Sequence, residues 1–174
     1  MKLILHAILI LGLFAFMAQS QSCPLIEYAD PLFYSDEPIR IHPDFKPHLD
    51  AASSAAKDCS VIVYFKKSFV KDDGKFLGTV PASARKPYSN HFIGHAVNFV
   101  VSKKAMPLRF CRPDCLNALE LPSHVKCFMD KILANGWRWG KAFNDTTHYD
   151  DSFNVKSESK YNDLRKSMQA ACSA

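Results

Sequence analysis

Two polar and aromatic segments, well separated along the chain, carry residues of the types that bind metals and transfer protons. The first is Ser89-Asn90-His91-Phe92-Ile93-Gly94-His95-Ala96-Val97-Asn98, and the second is Trp137-Arg138-Trp139-Gly140-Lys141-Ala142-Phe143-Asn144-Asp145-Thr146-Thr147-His148-Tyr149. A catalytic zinc site needs three protein ligands and a nearby base. His91 and His148 are candidate imidazole ligands, and Asp145 is a candidate proton shuttle. A fold that uses both segments must bring them together in space.

Gly94 indicates how His91 and residue 98 could reach one site. On a single strand these two positions lie too far apart to be neighbours. A turn around Gly94 would bring both to one metal, which would explain a glycine there. His95 is an alternative ligand if the local backbone allows it, although the sequence around it predicts a turn and a strand. Three further histidines are predicted to be surface or hydrogen-bonded core residues: His42, His48 and His124.

Together the two segments resemble the zinc site of the D-alanyl-D-alanine carboxypeptidase-like metallopeptidases, in a secreted eukaryotic form. That family reads Ser-x-His-x-x-Gly-x-Ala-x-Asp, then Trp-x-Trp-Gly and Asp-x-x-His. The resemblance extends from about Leu49 to Asn154 and includes Val80-Pro81-Ala82 and His148-Tyr149-Asp150-Asp151. It implies a domain at residues 48–174 with an α+β fold, in which helices flank a small antiparallel sheet, as in D-Ala-D-Ala carboxypeptidases and hedgehog proteins.

The resemblance also implies a cofactor and roles for individual residues. Zn²⁺ would be bound by His91, Asn98 and His148, and Asp145 would be the general acid/base. In such a site the metal polarises the scissile carbonyl and activates water, while the base transfers the proton. The family cleaves short peptides with D-residues, typically in bacterial cell walls.

Two positions depart from the family pattern, and both remove charge. Asn98 stands where the family has Asp, so the ligand set would be His₂Asn, with weaker zinc affinity. Val70 stands where similar proteins carry an Arg that holds the substrate's carbonyl or carboxylate. Lys71 is adjacent to Val70, but neighbouring residues of a strand point to opposite faces.

An N-glycosylation sequon, Asn144-Asp145-Thr146, lies inside the second segment. A glycan on Asn144 would crowd any substrate next to Asp145. A buried Asn144 would not be modified, and the sequence leaves both alternatives open.

The N-terminal residues 1–20 predict a secretory signal peptide. Lys2 precedes an apolar run from Leu3 to Met17, and Ala18-Gln19-Ser20 supplies small residues at the cleavage spacing. The mature chain would begin at Gln21 and would be secreted and extracellular, with no membrane contact after cleavage.

All six cysteines follow the predicted signal peptide, and an even number in an exported chain favours disulfides over a thiolate metal site. The sequence leaves their pairing open, although a bridge between the first and the last would hold down both ends of the mature chain. The candidates are Cys23, Cys59, Cys111, Cys115, Cys127 and Cys172.

Local patterns predict alternating helices and short strands, which suggests an α+β domain. Residues 21–47 carry five prolines and predict an extended N-terminal arm on a domain surface. Helices are predicted at Leu49–Asp58, at Ser123–Ala134 with Ser123 as N-cap, and at Ser157–Ala171; strands at Cys59–Phe65, His95–Val101 and Trp137–Gly140; and a long loop at Lys71–Tyr88.

Charge and motifs together define two functional hypotheses. The formal charge of +5 is mild and spread along the chain, which argues against a nucleic-acid partner. The first hypothesis is a secreted domain with a degenerate zinc site, non-catalytic or weakly active, with extracellular matrix components as partners. The alternative is an active secreted zinc D,D- or L,D-peptidase that hydrolyses peptidoglycan-type peptides or cell-wall fragments.

Overall fold

The computed structural model describes residues 22–72, 89–107 and 109–173. The predicted signal peptide and residues 73–88 of the predicted loop lie outside this part of the chain. The strands are β1 (Ile26–Tyr28), β2 (Phe33–Ser35), β3 (Ile39–Ile41), β4 (Val61–Lys67), β5 (Ala96–Lys103), β6 (Phe110–Cys111), β7 (Arg138–Trp139) and β8 (His148–Asp150). The helices are α1 (Lys46–Asp58), α2 (Pro113–Asn117), α3 (Ser123–Ala134), α4 (Phe153–Lys156) and α5 (Glu158–Ala171).

β5 is the central strand of a six-stranded sheet with the order β2-β4-β5-β8-β7. The short β6 also pairs with β5, beside Val101 and Ser102. All pairings in this sheet are antiparallel except that of β2 with β4. The predicted α+β class, with a small and mainly antiparallel sheet and flanking helices, is therefore confirmed.

The two faces of β5 have different roles. Val97, Phe99 and Val101 alternate along the strand and point into the main core, which α1 and α3 cover. Phe99 stacks on Tyr149 of β8, with ring centroids 3.9 Å apart. Asn98 therefore lies on the opposite face of the sheet, away from these two helices.

The helix and strand predictions are confirmed in their order, with differences at the ends. α1 begins at Lys46 and includes Pro47, which was predicted to precede the helix, because a proline in the first turn replaces an amide that has no helical partner. Ser123 does not cap α3: Lys126 N donates to the Pro122 carbonyl, so the helical hydrogen bonds begin at Pro122.

The N-terminal segment forms three short strands, and its residues from Pro43 onward are helical; it also contributes to the core. β1 and β3 form a two-stranded antiparallel sheet, and β2 is the edge strand of the main sheet. Four of its side chains are buried in the main core: Phe33, Ile39, Ile41 and Phe45.

The six cysteines form three disulfides, which excludes the thiolate metal site. Cys23 is bonded to Cys172, so the two ends of the described chain are joined as the sequence suggested. The other pairs are Cys59–Cys127, which links the end of α1 to α3, and Cys111–Cys115, which closes a short loop at α2.

A turn after a short 3-10 helix at Asn90–Ile93 carries the first predicted motif. Gly94 has φ +72°, and a Cβ there would lie 2.6 Å from His42 N and 2.9 Å from Leu25 Cδ2. The backbone therefore requires glycine both for its left-handed conformation and for its close approach to the N-terminal segment. The predicted turn around Gly94 is confirmed.

Helix α5 holds this turn in place from the other side. Gln169 Nε2 donates to the Phe92 carbonyl at 2.8 Å, and Tyr161 Oη donates to the Ser89 carbonyl at 3.0 Å. Lys71 Nζ donates to the carbonyls of Gln169 and Cys172. The C-terminal helix thus fixes the backbone on both sides of His91.

Gly94→Ala is expected to lower the free energy of unfolding by about 3 kcal/mol, because it adds both left-handed strain and a backbone clash. The matched control is Gly136→Ala, where φ is +85° but the nearest atom to the added Cβ is 3.9 Å away. The control should lose only about 1 kcal/mol. Urea denaturation of both variants measures the difference, and equal losses would show that the clash at Gly94 is relieved at no cost.

Removing Cys59–Cys127 by a double Ser substitution is expected to destabilise the protein by about 4 kcal/mol, because the bond spans 68 residues. The same change at Cys111–Cys115, which spans 4 residues, should cost about 2 kcal/mol. Urea midpoints of the two double variants, compared under non-reducing conditions, test this order. The reverse order would contradict the account of loop closure.

Candidate functional site

Three strands place a row of polar side chains on the open face of the sheet. Asn98 of β5 lies directly opposite His148 of β8. On its other edge Asn98 lies opposite Lys67 of β4, after a register shift between Phe65 and Lys67. Paired residues of neighbouring strands share a face, so the register alone brings Asn98 and His148 together.

The Gly94 turn adds His91 to this pair. His91 Nε2 lies 2.6 Å from Asn98 Oδ1 and 3.2 Å from His148 Nδ1. The structure therefore brings all three predicted ligands together, from a 3-10 helix and two strands. His91 and His148 are buried, whereas Asn98 is partly exposed.

Each histidine is oriented by a hydrogen bond from its other ring nitrogen. His91 Nδ1 lies 2.5 Å from the Ser68 carbonyl, which can only accept, so Nδ1 carries a proton. His148 Nε2 lies 2.8 Å from Asp150 Oδ2 and donates to that carboxylate. In the neutral rings the lone pairs therefore reside on His91 Nε2 and His148 Nδ1, which face each other. Bonds of this kind orient metal-binding histidines in proteins.

Asp150 is itself held by a cation. Arg138 Nε donates to Asp150 Oδ1 at 2.8 Å, and Arg138 Nη2 donates to Oδ2 at 2.5 Å. Burial opposes ionisation of Asp150, but hydrogen bonds from His148 and Arg138 lower its pKa to about 2. Asp150 is therefore a carboxylate at neutral pH.

Asn98 also connects the histidines to Asp145. Its Nδ2 donates to Thr147 Oγ1 at 2.9 Å and lies 3.2 and 3.3 Å from the two Asp145 oxygens. Asp145 accepts further hydrogen bonds from the backbone and hydroxyl of Thr147. Burial raises the pKa of Asp145, but these hydrogen bonds from Thr147 and Asn98 outweigh it and hold the pKa below its usual value.

The orientation of the Asn98 amide follows from these neighbours. Turning the amide round would place Oδ1 against the Asp145 carboxylate, oxygen against oxygen, so Nδ2 faces Asp145 and Oδ1 faces His91. Three electron pairs then converge, from His91 Nε2, Asn98 Oδ1 and His148 Nδ1, with no proton between them in the neutral state. Such an arrangement is stabilised by a cation.

A proton on His91 is a poor candidate for this cation at neutral pH. Burial, followed by the neighbouring His148 ring, lowers the pKa of His91 to about 3. The donor set of two imidazoles and an amide oxygen suits a divalent transition metal.

Gly140 positions the second motif. A Cβ at Gly140 would lie 2.4 Å from the Asp145 carbonyl and 2.9 Å from His148 Cβ. The 3-10 helix at Gly140–Phe143 can therefore pack against the segment that carries Asp145 and His148 only if residue 140 has no side chain.

Val70 carries no charge at the position where the resemblance would place a cation. Val70 N donates to the His91 carbonyl at 3.1 Å, and its side chain offers no donor. Lys71 lies beyond the end of β4, so the argument from alternating strand residues does not apply to it, and its Nζ donates to the carbonyls of Gln169 and Cys172. Lys67 is the nearby cation that sequence reasoning missed, and burial lowers its pKa.

The sequon lies at the surface beside the site. Asn144 is exposed and left-handed, with φ +63°, at the end of the 3-10 helix that precedes Asp145. The alternative of a buried Asn144 is therefore wrong, while its glycosylation remains a prediction.

His95 does not join the first three ligands. Its Nδ1 lies 2.7 Å from Asp151 Oδ2, and its ring stacks with His42 at 5.1 Å. His42, Asp44 and His95 form a separate His-Asp-His group whose ligand atoms lie within 4.8 Å of one another and could hold a metal ion. His48 packs between Phe45 and Trp137, at ring distances of 5.2 and 5.9 Å.

Comparisons with known proteins provide no family. No protein-family model matches the chain, and a search of curated proteins finds no match. Within the described residues, no helix is both long enough and apolar enough to cross a membrane.

Several site residues were not given a role from the sequence alone. Four such residues orient the candidate ligands or Asp145, although they lie in or next to the motifs that were recognised. They are Ser68, Arg138, Thr147 and Asp150. Arg138 and Asp150 offered a signal, because polar side chains in partly buried strands need partners, whereas Ser68 acts through its backbone carbonyl and offered none. Only the strand register shows which partners they have.

Asp150→Asn is expected to lower the free energy of unfolding by about 2 kcal/mol, because it removes the charge that pairs with Arg138 and leaves one oxygen in place of the two that accept from Arg138 and His148. The matched control is Asp130→Asn, which breaks an exposed pair with Lys126 on α3 and should change stability by less than about 0.5 kcal/mol. Urea denaturation in the presence of a chelator measures both. Similar small losses in the two variants would contradict the orienting role of Asp150.

Proposed function

We propose that this chain is a secreted zinc-binding domain with the D-alanyl-D-alanine carboxypeptidase-like fold, in which hydrolysis is weak or absent. The observation that carries the proposal is the convergence of His91 Nε2, Asn98 Oδ1 and His148 Nδ1 at 2.6 and 3.2 Å. Zinc bonds of roughly 2.0–2.2 Å separate neighbouring ligand atoms by a little over 3 Å. The three groups therefore fit zinc after a small outward movement of Asn98.

The charge of the site supports weak catalysis. Zinc in such a site supplies Lewis-acid polarisation of a substrate carbonyl. His₂Asn provides no negative charge to hold the metal, so its affinity falls relative to a set with Asp. Asp145 is the candidate acid/base, but the hydrogen bonds from Asn98 and Thr147 lower its pKa and make it a weaker base.

The surroundings of the site support the same conclusion. The side chain at residue 70 cannot hold a substrate carboxylate, and an exposed Asn144 allows a glycan beside Asp145. We therefore propose that substrates do not enter deeply into this site, and that the partners of the protein are extracellular matrix components. Three disulfides among the described residues support export, which the N-terminal sequence predicts.

An active zinc D,D- or L,D-peptidase is the second candidate function. The observation that favours it is the retention of His91, His148 and Asp145 in one cluster, with Asn98 Nδ2 only 3.2 Å from Asp145 Oδ2. Lys67, which lies opposite Asn98 across β4 and β5, would then replace the missing Arg as the cation for a substrate carboxylate.

Zinc binding by metal-free wild type, Asn98→Asp and His91→Gln tests the proposal. His91→Gln should remove binding at this site. Asn98→Asp should bind zinc at least tenfold more tightly than wild type, because it restores an anionic ligand. Without metal the same variant should be less stable than wild type, because residue 98 then repels the Asp145 carboxylate, and added zinc should reverse this loss. Asn117→Asp, an exposed change on α2, is the charge-matched control and should leave affinity unchanged.

Two outcomes would overturn the proposal. If His91→Gln binds zinc as wild type does, the three residues are not ligands. If wild type rapidly hydrolyses a peptide ending in D-Ala-D-Ala and His91→Gln does not, the second candidate function is correct.

A further inference from the structure

We infer that His42, Asp44 and His95 form a second site for a divalent transition metal ion, with zinc as the best match to two imidazoles and a carboxylate. This inference does not depend on the proposed function. The two clusters share no ligand, and His95 was set apart from the first by its own hydrogen bonds.

The separation of the ligand atoms is the first support. The ligand atoms of all three residues lie within 4.8 Å of one another, and His42 Nδ1 is 3.7 Å from Asp44 Oδ2. Ligands of a bound zinc ion lie a little over 3 Å apart, so binding would draw the most distant pair closer by up to about 1.5 Å. The Asp44 side chain is 75% exposed and can make this movement.

An unsatisfied nitrogen on His95 is the second and independent support. The His95 side chain is 1% exposed, and no described residue provides a hydrogen-bond partner for its Nε2. Its Nδ1 donates to Asp151 Oδ2 at 2.7 Å, so the lone pair of the neutral ring is on Nε2. A buried nitrogen of this kind costs free energy unless it is paired, and a metal ion would pair it. Asp151 is then the carboxylate that orients a metal-binding histidine.

His42 is available as a neutral ligand. Its Nδ1 accepts a hydrogen bond from Asp44 N at 3.2 Å, so this nitrogen carries the lone pair. Metal binding through Nδ1 would replace the weak bond from the Asp44 amide, and the His42 ring, now stacked on His95, would turn towards the shared ion.

The position of this site suggests a structural role. His42 N donates to the Gly94 carbonyl at 3.0 Å, so the N-terminal segment already contacts the turn that carries His91 and His95. An ion held by His42, Asp44 and His95 would join the same two segments a second time. Adjacent residues, Asp150 and Asp151, would then each orient one histidine of a different metal site.

The test is a calorimetric zinc titration of the metal-free full chain in four forms: wild type, Asp44→Asn, His91→Gln and the double variant. Asp44→Asn changes an exposed side chain and should fold normally. It should weaken zinc binding at the second site at least tenfold and leave binding at the first site unchanged. His91→Gln should weaken binding at the first site and leave the second site unchanged. The double variant should retain no tight binding. Asp114→Asn, exposed at the start of α2, is the matched control and should bind as wild type does.

Imidazole nitrogen NMR spectra of the His91→Gln protein provide a direct readout. Zinc should shift the Nε2 resonance of His95 and leave its Nδ1 protonated. The inference is overturned if Asp44→Asn titrates as wild type does, or if zinc leaves the His95 ring unchanged. A further outcome separates the two proposals. If Asp44→Asn weakens zinc binding and His91→Gln does not, the second site is supported and the proposed function is contradicted.

Discussion

The register of β5 against β8 is the constraint on which the candidate site depends. It places Asn98 opposite His148 on one face of the sheet and Phe99 against Tyr149 on the other. A slip of one residue would move the aromatic pair out of the core and the ligands into it, so the hydrophobic core also fixes the polar site. The Gly94 turn and helix α5 then have to position only His91.

Asp150 and Asp151 connect the site to the rest of the fold. Successive residues of an extended chain point to opposite sides, so one carboxylate holds His148 and the next holds His95. Arg138 neutralises the first of these carboxylates. The amide of Asn98 has a comparable double role, because its oxygen faces His91 while its nitrogen faces Asp145. The uncharged Asn98 therefore affects both neighbours: its oxygen lies 2.6 Å from His91 Nε2, and its hydrogen bond to Asp145 helps to lower the pKa of that carboxylate.

Sequence patterns predicted much of the fold, and the three residues predicted to be metal ligands lie together in the structure, whereas their binding of a metal stays a prediction. On the predicted helix α3 the apolar residues at helical spacing are buried, namely Val125, Phe128, Met129 and Ile132, whereas Leu133 is 37% exposed. The positions of Pro47 and Ser123 relative to their helices were predicted wrongly, because the first residue of a helix depends on which carbonyl accepts its first hydrogen bond. The part of the N-terminal segment that enters the core was also missed, because three-residue strands are stabilised by partners distant in sequence rather than by local propensity.

The sequence by itself determined which residue types are available: two histidines, an amide and a carboxylate in two motifs, six cysteines, and a glycine where the backbone must turn. Only the tertiary structure decided how they are used. Pairing of strands and of cysteines joins positions far apart in the chain, and local patterns do not encode which positions meet. The direction of the Asn98 amide and the separation of His95 from the first site both follow from neighbours brought in by that pairing, Asp145 in one case and Asp151 in the other.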